Sequence, residues 1–128
     1  MLHLTFAINL ELIAMRIVRD SEAPRLETVK GRHGVILIVG ENVMMMKLTI
    51  EPGIPTQPHS HPHEQMAHLL EGKGILYTNN ESREIEAGTS FWIPPNAPHN
   101  FDAIGDRPAV LIEAFSPPRE DYLSRVED

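Results

Sequence analysis

From Met15 onward, apolar and polar residues alternate at period two in short runs broken by turn residues. That period marks half-buried strands. MRIVR (15–19) reads as an opening strand and LETVK (26–30) as the next. Asp20 to Pro24 is a loop between them, and Gly31, Arg32, His33 and Gly34 read as a turn. GVILIVG (34–40) is a nearly continuous apolar run, expected to be covered on both faces. Met44, Met46, Leu48 and Ile50 share one face of the following run, with Met45, Lys47 and Thr49 on the other. Further on, Ala67 and Leu69 point inward while Met66, His68 and Leu70 point out. REIEA, TSFWI, HNFDA and AVLIEAF follow, separated by Gly72-Lys73-Gly74, Asn79 to Ser82, a Pro-rich turn and Gly105 to Pro108. In the last run Leu111, Glu113 and Phe115 fall on one face, and Val110, Ile112 and Ala114 on the other. DYLSRVED is a short helix or a frayed tail. About ten short strands without a long helix or an internal repeat predict an all-β sandwich or barrel.

Residues 1–14, MLHLTFAINLELIA, break this rhythm. They lack a basic leading region and a small-residue cleavage pattern, and Glu11 interrupts the apolar run, which argues against a signal peptide or membrane span. Two readings stay open: an extra element packed on a neighbouring subunit, or an N-terminal extension upstream of a natural start at Met15. The second is preferred, with residues 15–128 as the domain proper and His3 incidental.

One domain of this length can bury a core. The formal charge of −7 argues against nucleic acid or an anionic membrane as partner. An anionic small molecule would then need a local positive site. No cysteine is present, which removes disulfides, thiolate ligands and a Cys nucleophile from consideration. It is compatible with a cytoplasmic location.

The chemistry concentrates in GIPTQPHSHPHEQMAHLLEGKG, Gly53 to Gly74, which holds four of the seven histidines. In extended chain His59 and His61 point the same way with Cα atoms roughly 6.5 Å apart, close enough to converge on one cation. Gln65 keeps their parity and offers an amide oxygen. His99 is a fourth candidate ligand, in GTSFWIPPNAPHNF. The alternative is a set of solvated turn histidines. Pro52, Pro55, Pro58 and Pro62 exclude a helix here and stiffen the approach. His63 has the right parity but follows Pro62 and reads as a supporting or surface residue. His68 faces away and His33 reads as a surface residue. The methionine cluster at 44–46 could suggest a soft metal site; core packing is the preferred reading.

Glu113 is a charged residue between apolar ones on an inward face, so it needs a partner or a task. A salt bridge to Arg119 or a lysine is the plain alternative. Pro117 and Pro118 end the strand and fix where Arg119 emerges; its plain reading is an ordinary surface charge.

These residues resemble a known family. Gly53, His59, His61 and Gly72 fall on the first cupin motif, with Gln65 where most cupins have Glu. Gly88, Pro94 and His99 fall on the second motif, with Asn96 replacing a glycine and Ala103 the final asparagine. HSHPHEQ together with EAFSPPRED (113–121) is similar to the pectin-degradation cupins of the KdgF type, which convert 4,5-unsaturated uronates to linear keto sugars. The resemblance implies a single-domain cupin jelly roll. It implies one metal held by His59, His61, Gln65 and His99, and an active site using Glu113, Phe115 and Arg119. Glu113 departs from that group's Asp by one methylene.

Imidazole and amide ligands are neutral, so a divalent ion would keep its full charge and act as a strong Lewis acid toward an anionic oxygen. Such donors suit Zn, Ni, Fe or Mn. The expected activity is that of a metal-dependent isomerase of sugar-acid breakdown on a small anionic uronate. Phe115 would pack on the sugar, Arg119 would bind the carboxylate and Glu113 would move a proton. Two alternatives are a metal-dependent dioxygenase, weakened by Gln65 at the Glu position, and a non-catalytic sugar or metal sensor. A homodimer through the outer sheet is expected, since such barrels expose a flat apolar face.

Overall fold

The computed structural model describes residues 15–126. Nine strands carry the fold: β1 (Arg25–Val29), β2 (Arg32–Val39), β3 (Met44–Ile50), β4 (Glu64–Glu71), β5 (Lys73–Thr78), β6 (Glu81–Glu86), β7 (Ser90–Ile93), β8 (His99–Ile104) and β9 (Ala109–Ser116). One short helix, α1 (Glu120–Leu123), follows. The strands form two antiparallel sheets, one six-stranded in the order β1-β2-β3-β9-β4-β7 and one three-stranded in the order β6-β5-β8. This is the jelly-roll arrangement that the resemblance implies. Among the described residues no helix is long and apolar enough to cross a membrane.

The period-two pattern places the core. Met44, Met46, Leu48 and Ile50 of β3 are all buried, and Leu111, Glu113 and Phe115 of β9 are buried beside them. The methionines at 44 and 46 are packing residues, fully buried within an apolar cluster. On β2 the outward residues Val35, Leu37 and Ile38 are only half covered.

The core has two apolar clusters. One, between the sheets, contains Leu48, Ile50, Leu69, Phe101 and Leu111. The other contains Leu26, Ile36, Met44, Met46 and Phe115, closed by Leu123 of α1. On β9, Leu111 belongs to the first cluster and Phe115 to the second. Glu113 lies between them, so the polar interior is a layer between two apolar ones.

Three sequence expectations need correction. MRIVR is not a strand: residues 15–19 carry no regular structure, and Ile17 is 84% exposed. Its Arg16 donates to the carbonyl of Val39. Alternation makes a strand only where backbone partners and a covering face exist. The turn expected at Gly31 to Gly34 is shorter. Lys30 and Gly31 alone make it, Gly31 with φ 80°, and Arg32 already begins β2 with its side chain buried. The hairpin at 79–82 likewise turns on Asn79 and Asn80, with Thr78 paired to Glu81. Residues 1–14, including His3 and the proposed extension, lie outside the described residues.

Candidate metal centre

His59 and His61 sit in an extended loop rather than in a strand, and one isolated bridge holds them in place. The His59 N–H donates to the His99 carbonyl and the His99 N–H to the His59 carbonyl, each at 2.9 Å. This pair joins the histidine loop to the start of β8, so residues forty apart in sequence face each other. The Asn96 N–H also donates to the carbonyl of His61, at 2.8 Å. The result is a cluster: the rings of His59 and His99 lie 4.5 Å apart, those of His61 and His99 5.0 Å, and those of His59 and His61 5.7 Å. One ring nitrogen from each of the three comes within 4.8 Å of the others.

Hydrogen bonds assign the tautomers. Nδ1 of His99 lies 2.8 Å from the carbonyl of Ala97, and Nδ1 of His61 lies 3.2 Å from that of His63. A carbonyl only accepts, so both Nδ1 atoms carry the proton and both Nε2 atoms carry a lone pair. The Nε2 of His99 is buried with no hydrogen-bond partner among the described residues. The Nε2 of His61 lies 3.0 Å from Oε1 of Gln65. That oxygen is fixed toward His61 because the amide nitrogen donates to Oε2 of Glu113 at 2.9 Å.

Two acceptor lone pairs at that distance repel unless a proton or a cation lies between them. Full protonation of the imidazole is disfavoured. Burial first, then the charge of Arg119 and the neighbouring His99, pushes His61 down to about 4. Burial first, then His99, does the same to His59, also to about 4. The rings are therefore neutral at pH 7. The separation of Nε2 from Oε1 is close to that of neighbouring ligands with bonds of about 2.1 Å. The orphaned Nε2 of His99 is a donor of the same kind. The donor set fits a divalent metal ion.

His63 stands beside this cluster, outside the converging three, its ring 5.3 Å from that of His61 and 6.5 Å from that of Phe115. His33 is exposed and pairs with Glu51 at 3.1 Å, and His68, on the outer face, bonds Ser90 at 2.7 Å. Both follow the sequence reading.

The cluster opens into a cavity of about 550 Å³ lined by His59, His99, Gln65, Glu113, Phe115 and Arg119. Glu113 makes no ion pair with Arg119 or a lysine; its partner is Gln65. Burial pushes its carboxyl up to about 7, against the lowering pull of Arg119, Arg32 and the Gln65 hydrogen bond. It can thus hold or release a proton near neutral pH. Arg119 is no surface charge, being 5% exposed. Its Nε and Nη2 bind the two oxygens of Asp121 at 3.0 and 2.8 Å. Its guanidinium stacks over Tyr122 at 3.9 Å and Phe115 at 4.9 Å.

The Cupin domain family matches residues 46–115, more than half of the chain. The chain belongs to the cupin family. The uncharacterized protein MJ1618 of Methanocaldococcus jannaschii is 30% identical to this cupin over 116 residues, 84% of this chain and 92% of that protein. The pectin degradation protein KdgF of Dickeya dadantii is 29% identical over 105 residues, 81% of this chain and 94% of that one. The solved structure of KdgF from Halomonas sp. superposes with a TM-score of 0.75 at 22% identity, covering 84% of this chain and 99% of that one. This is a KdgF-like cupin with a three-histidine cluster suited to a metal ion.

The cupin motif positions have local reasons. Asn96, where the second motif has glycine, is the one non-glycine residue with positive φ among the described residues, at 65°. Asparagine tolerates that region because its side chain can bond locally. Two cavity residues escaped the sequence reading. Arg32, read as a turn residue, is 8% exposed and lines the cavity, as does Tyr122. Arg32 had a signal. Extending the β2 alternation back from Ile36 and Gly34 puts a charge on the inward face, the same mark that singled out Glu113. Tyr122 had none, since a four-residue helix carries no usable periodicity.

Proposed function

We propose that this cupin is a metal-dependent isomerase of sugar-acid breakdown, converting a 4,5-unsaturated uronate to the linear 5-keto-4-deoxyuronate. The observation that carries the reading is the shared cavity: a buried carboxyl near 7 and a buried guanidinium beside three neutral imidazoles. The likeness to the pectin degradation protein supports the substrate class.

His59, His61, Gln65 and His99 would hold the ion. When bound, it supplies Lewis acidity toward an anionic oxygen of the substrate. The reaction is an isomerisation. The anomeric O–H loses its proton, the bond from C1 to the ring oxygen breaks to leave a C5 enolate, and that enolate takes a proton at C4. One proton leaves an oxygen and one arrives at a carbon, so a group titrating near neutrality can serve both events. Glu113 is that group in this reading. Gln65 holds its carboxyl through Oε2, and Phe115 covers the sugar and excludes water. Arg119 binds the substrate carboxylate.

The test is turnover of unsaturated galacturonate or glucuronate, followed by loss of the conjugated alkene absorbance. Metal-loaded protein should exceed the spontaneous rate by orders of magnitude. A rate equal to the spontaneous one sinks the substrate assignment. The same reading carries a homodimer through the outer face of the six-stranded sheet, where Met45, Met66, Leu70 and Trp92 are exposed. Sedimentation of a Trp92→Glu variant as a smaller species than wild type would support it; an unchanged monomer in both would end it.

A further inference from the structure

Arg32 reaches from the start of β2 across the cavity to the small sheet. Every side-chain hydrogen bond it makes among the described residues runs through Nη2: to Thr56 Oγ1 at 3.0 Å, to Asp102 Oδ1 at 3.0 Å, and to the carbonyl of Phe101. Asp102 is held in turn by the Thr56 N–H at 3.1 Å and the Thr56 hydroxyl at 2.8 Å. That network uses one of the three nitrogens of the guanidinium. Among the described residues, Nε is buried with no acceptor and Nη1 has no hydrogen-bond partner.

A purely structural tie between β2 and β8 does not need so many donors. A buried guanidinium is costly to desolvate, and that cost is recovered only when its hydrogen bonds are made. Arg32 spends that cost on the wall of the cavity that holds Glu113 and His59. Arg119, by contrast, has its Nε and Nη2 engaged by Asp121.

Resting on the uronate reading above, we propose that Arg32 is a second guanidinium anchor for the substrate. Its Nη1 donates to an oxygen of the bound uronate from the β8 side, while Arg119 approaches from the C-terminal helix. Two fixed cations reaching from different elements orient an anionic sugar, where one would only attract it. Arg32 is thereby a binding residue, and Asp102 and Thr56 are the positioning residues behind it.

The test is Arg32→Lys, which keeps a cation for Asp102 but loses the planar fork. In metal-loaded protein KM for unsaturated galacturonate should rise tenfold or more with kcat within twofold, and binding of saturated galacturonate should weaken equally. Unchanged KM in a variant melting like wild type overturns the proposal while leaving the uronate reading intact. Absence of turnover by wild type defeats both. Should Arg32→Lys not fold, a crystal structure of wild type with galacturonate decides. A ligand oxygen within hydrogen-bond distance of Nη1 supports the anchor, and a ligand that avoids Arg32 removes it.

Discussion

Gln65 donates its amide nitrogen to Glu113 at 2.9 Å and so turns its oxygen toward His61. One side chain thus couples the imidazole cluster to the buried acid. A glutamate at that place could not do this. Two carboxylates at hydrogen-bond distance in a buried site cannot both ionise without a large cost. A neutral amide leaves Glu113 free to titrate and leaves the imidazoles a neutral companion.

The coupling makes a pH prediction for chelated protein. Burial raises Glu113 from the ordinary 4.5 to about 7. Between those values the folded state binds more protons than the unfolded one, so this group lowers stability as pH rises from 4.5 to 7. Above 7 its penalty is constant, and below 4.5 it vanishes. Glu113→Gln removes the titration. The variant should gain on wild type by roughly 3 kcal/mol across that window, read by urea unfolding at pH 4.5, 5.5, 6.5 and 7.5. A constant difference across the four would refute the raised value. The same variant should lose about 10²–10⁴ in kcat, the usual contribution of general acid–base catalysis.

Metal affinity should depend on pH in an unusual way. An exposed histidine site loses affinity as pH drops through 6.5, because protons compete for the ring. Here burial, followed by the surrounding cations and imidazoles, holds His59 and His61 at about 4. Cobalt(II) titrated into chelated protein should therefore bind with nearly constant affinity from pH 7 to about pH 5 and weaken only below that. Visible absorbance reads the complex. His99→Ala should lower affinity by at least about 100-fold, since it removes the orphaned Nε2. A decline already complete at pH 6 would contradict the neutral cluster.

How much of this was legible beforehand follows from which physics acted where. Strand faces depend on a local period, so Met44 to Ile50 and Leu111 to Phe115 were assigned to the correct sides from alternation alone. The convergence of His59, His61 and His99 is a long-range event made by one bridge. Spacing joined only the first two; His99 stood as a separate candidate in its own segment, and the motif resemblance tied it to them. The Gln65 amide orientation depends on Glu113, a strand away, and no local pattern encodes it. Arg32 was misplaced because Gly31 and Gly34 bracket it and mimic a longer turn. Its true neighbours, Phe101 and Asp102, are about seventy residues downstream.

Arg119 is held by two different means, and they should separate experimentally. Asp121 is 55% exposed at its side chain, so the ion pair is worth less than about 1 kcal/mol of stability. Its effect is on direction, since it fixes two of the guanidinium nitrogens. Asp121→Asn should leave the melting temperature nearly unchanged yet raise KM several-fold. Tyr122→Leu removes the stacked ring at 3.9 Å and should cost about 1–2 kcal/mol by chemical unfolding, with a similar KM effect. Equal losses of stability in both would mean that the ion pair is part of the core rather than of the site.

Two motif glycines have the same backbone conformation and different surroundings, which makes them a matched pair. Gly53 has φ 82°, and a Cβ there would meet nothing within 4 Å. Gly72 has φ 80°, and a Cβ there would lie 2.5 Å from the Pro108 carbonyl oxygen and 2.9 Å from the Ala109 Cα. Backbone strain is common to both, about 1–2 kcal/mol for an L-residue in this region. Only Gly72→Ala adds a clash, and its partners are backbone atoms that cannot rotate away. Relief requires moving the start of β9, the strand that carries Glu113 four residues on. Gly53→Ala should therefore cost about 1 kcal/mol and keep cobalt affinity. Gly72→Ala should cost upward of about 3 kcal/mol and weaken cobalt binding as well, because Gln65 pairs with Phe115 on the displaced strand. If both variants unfold at the same urea concentration, φ alone accounts for the glycine at 72 and close packing against β9 does not.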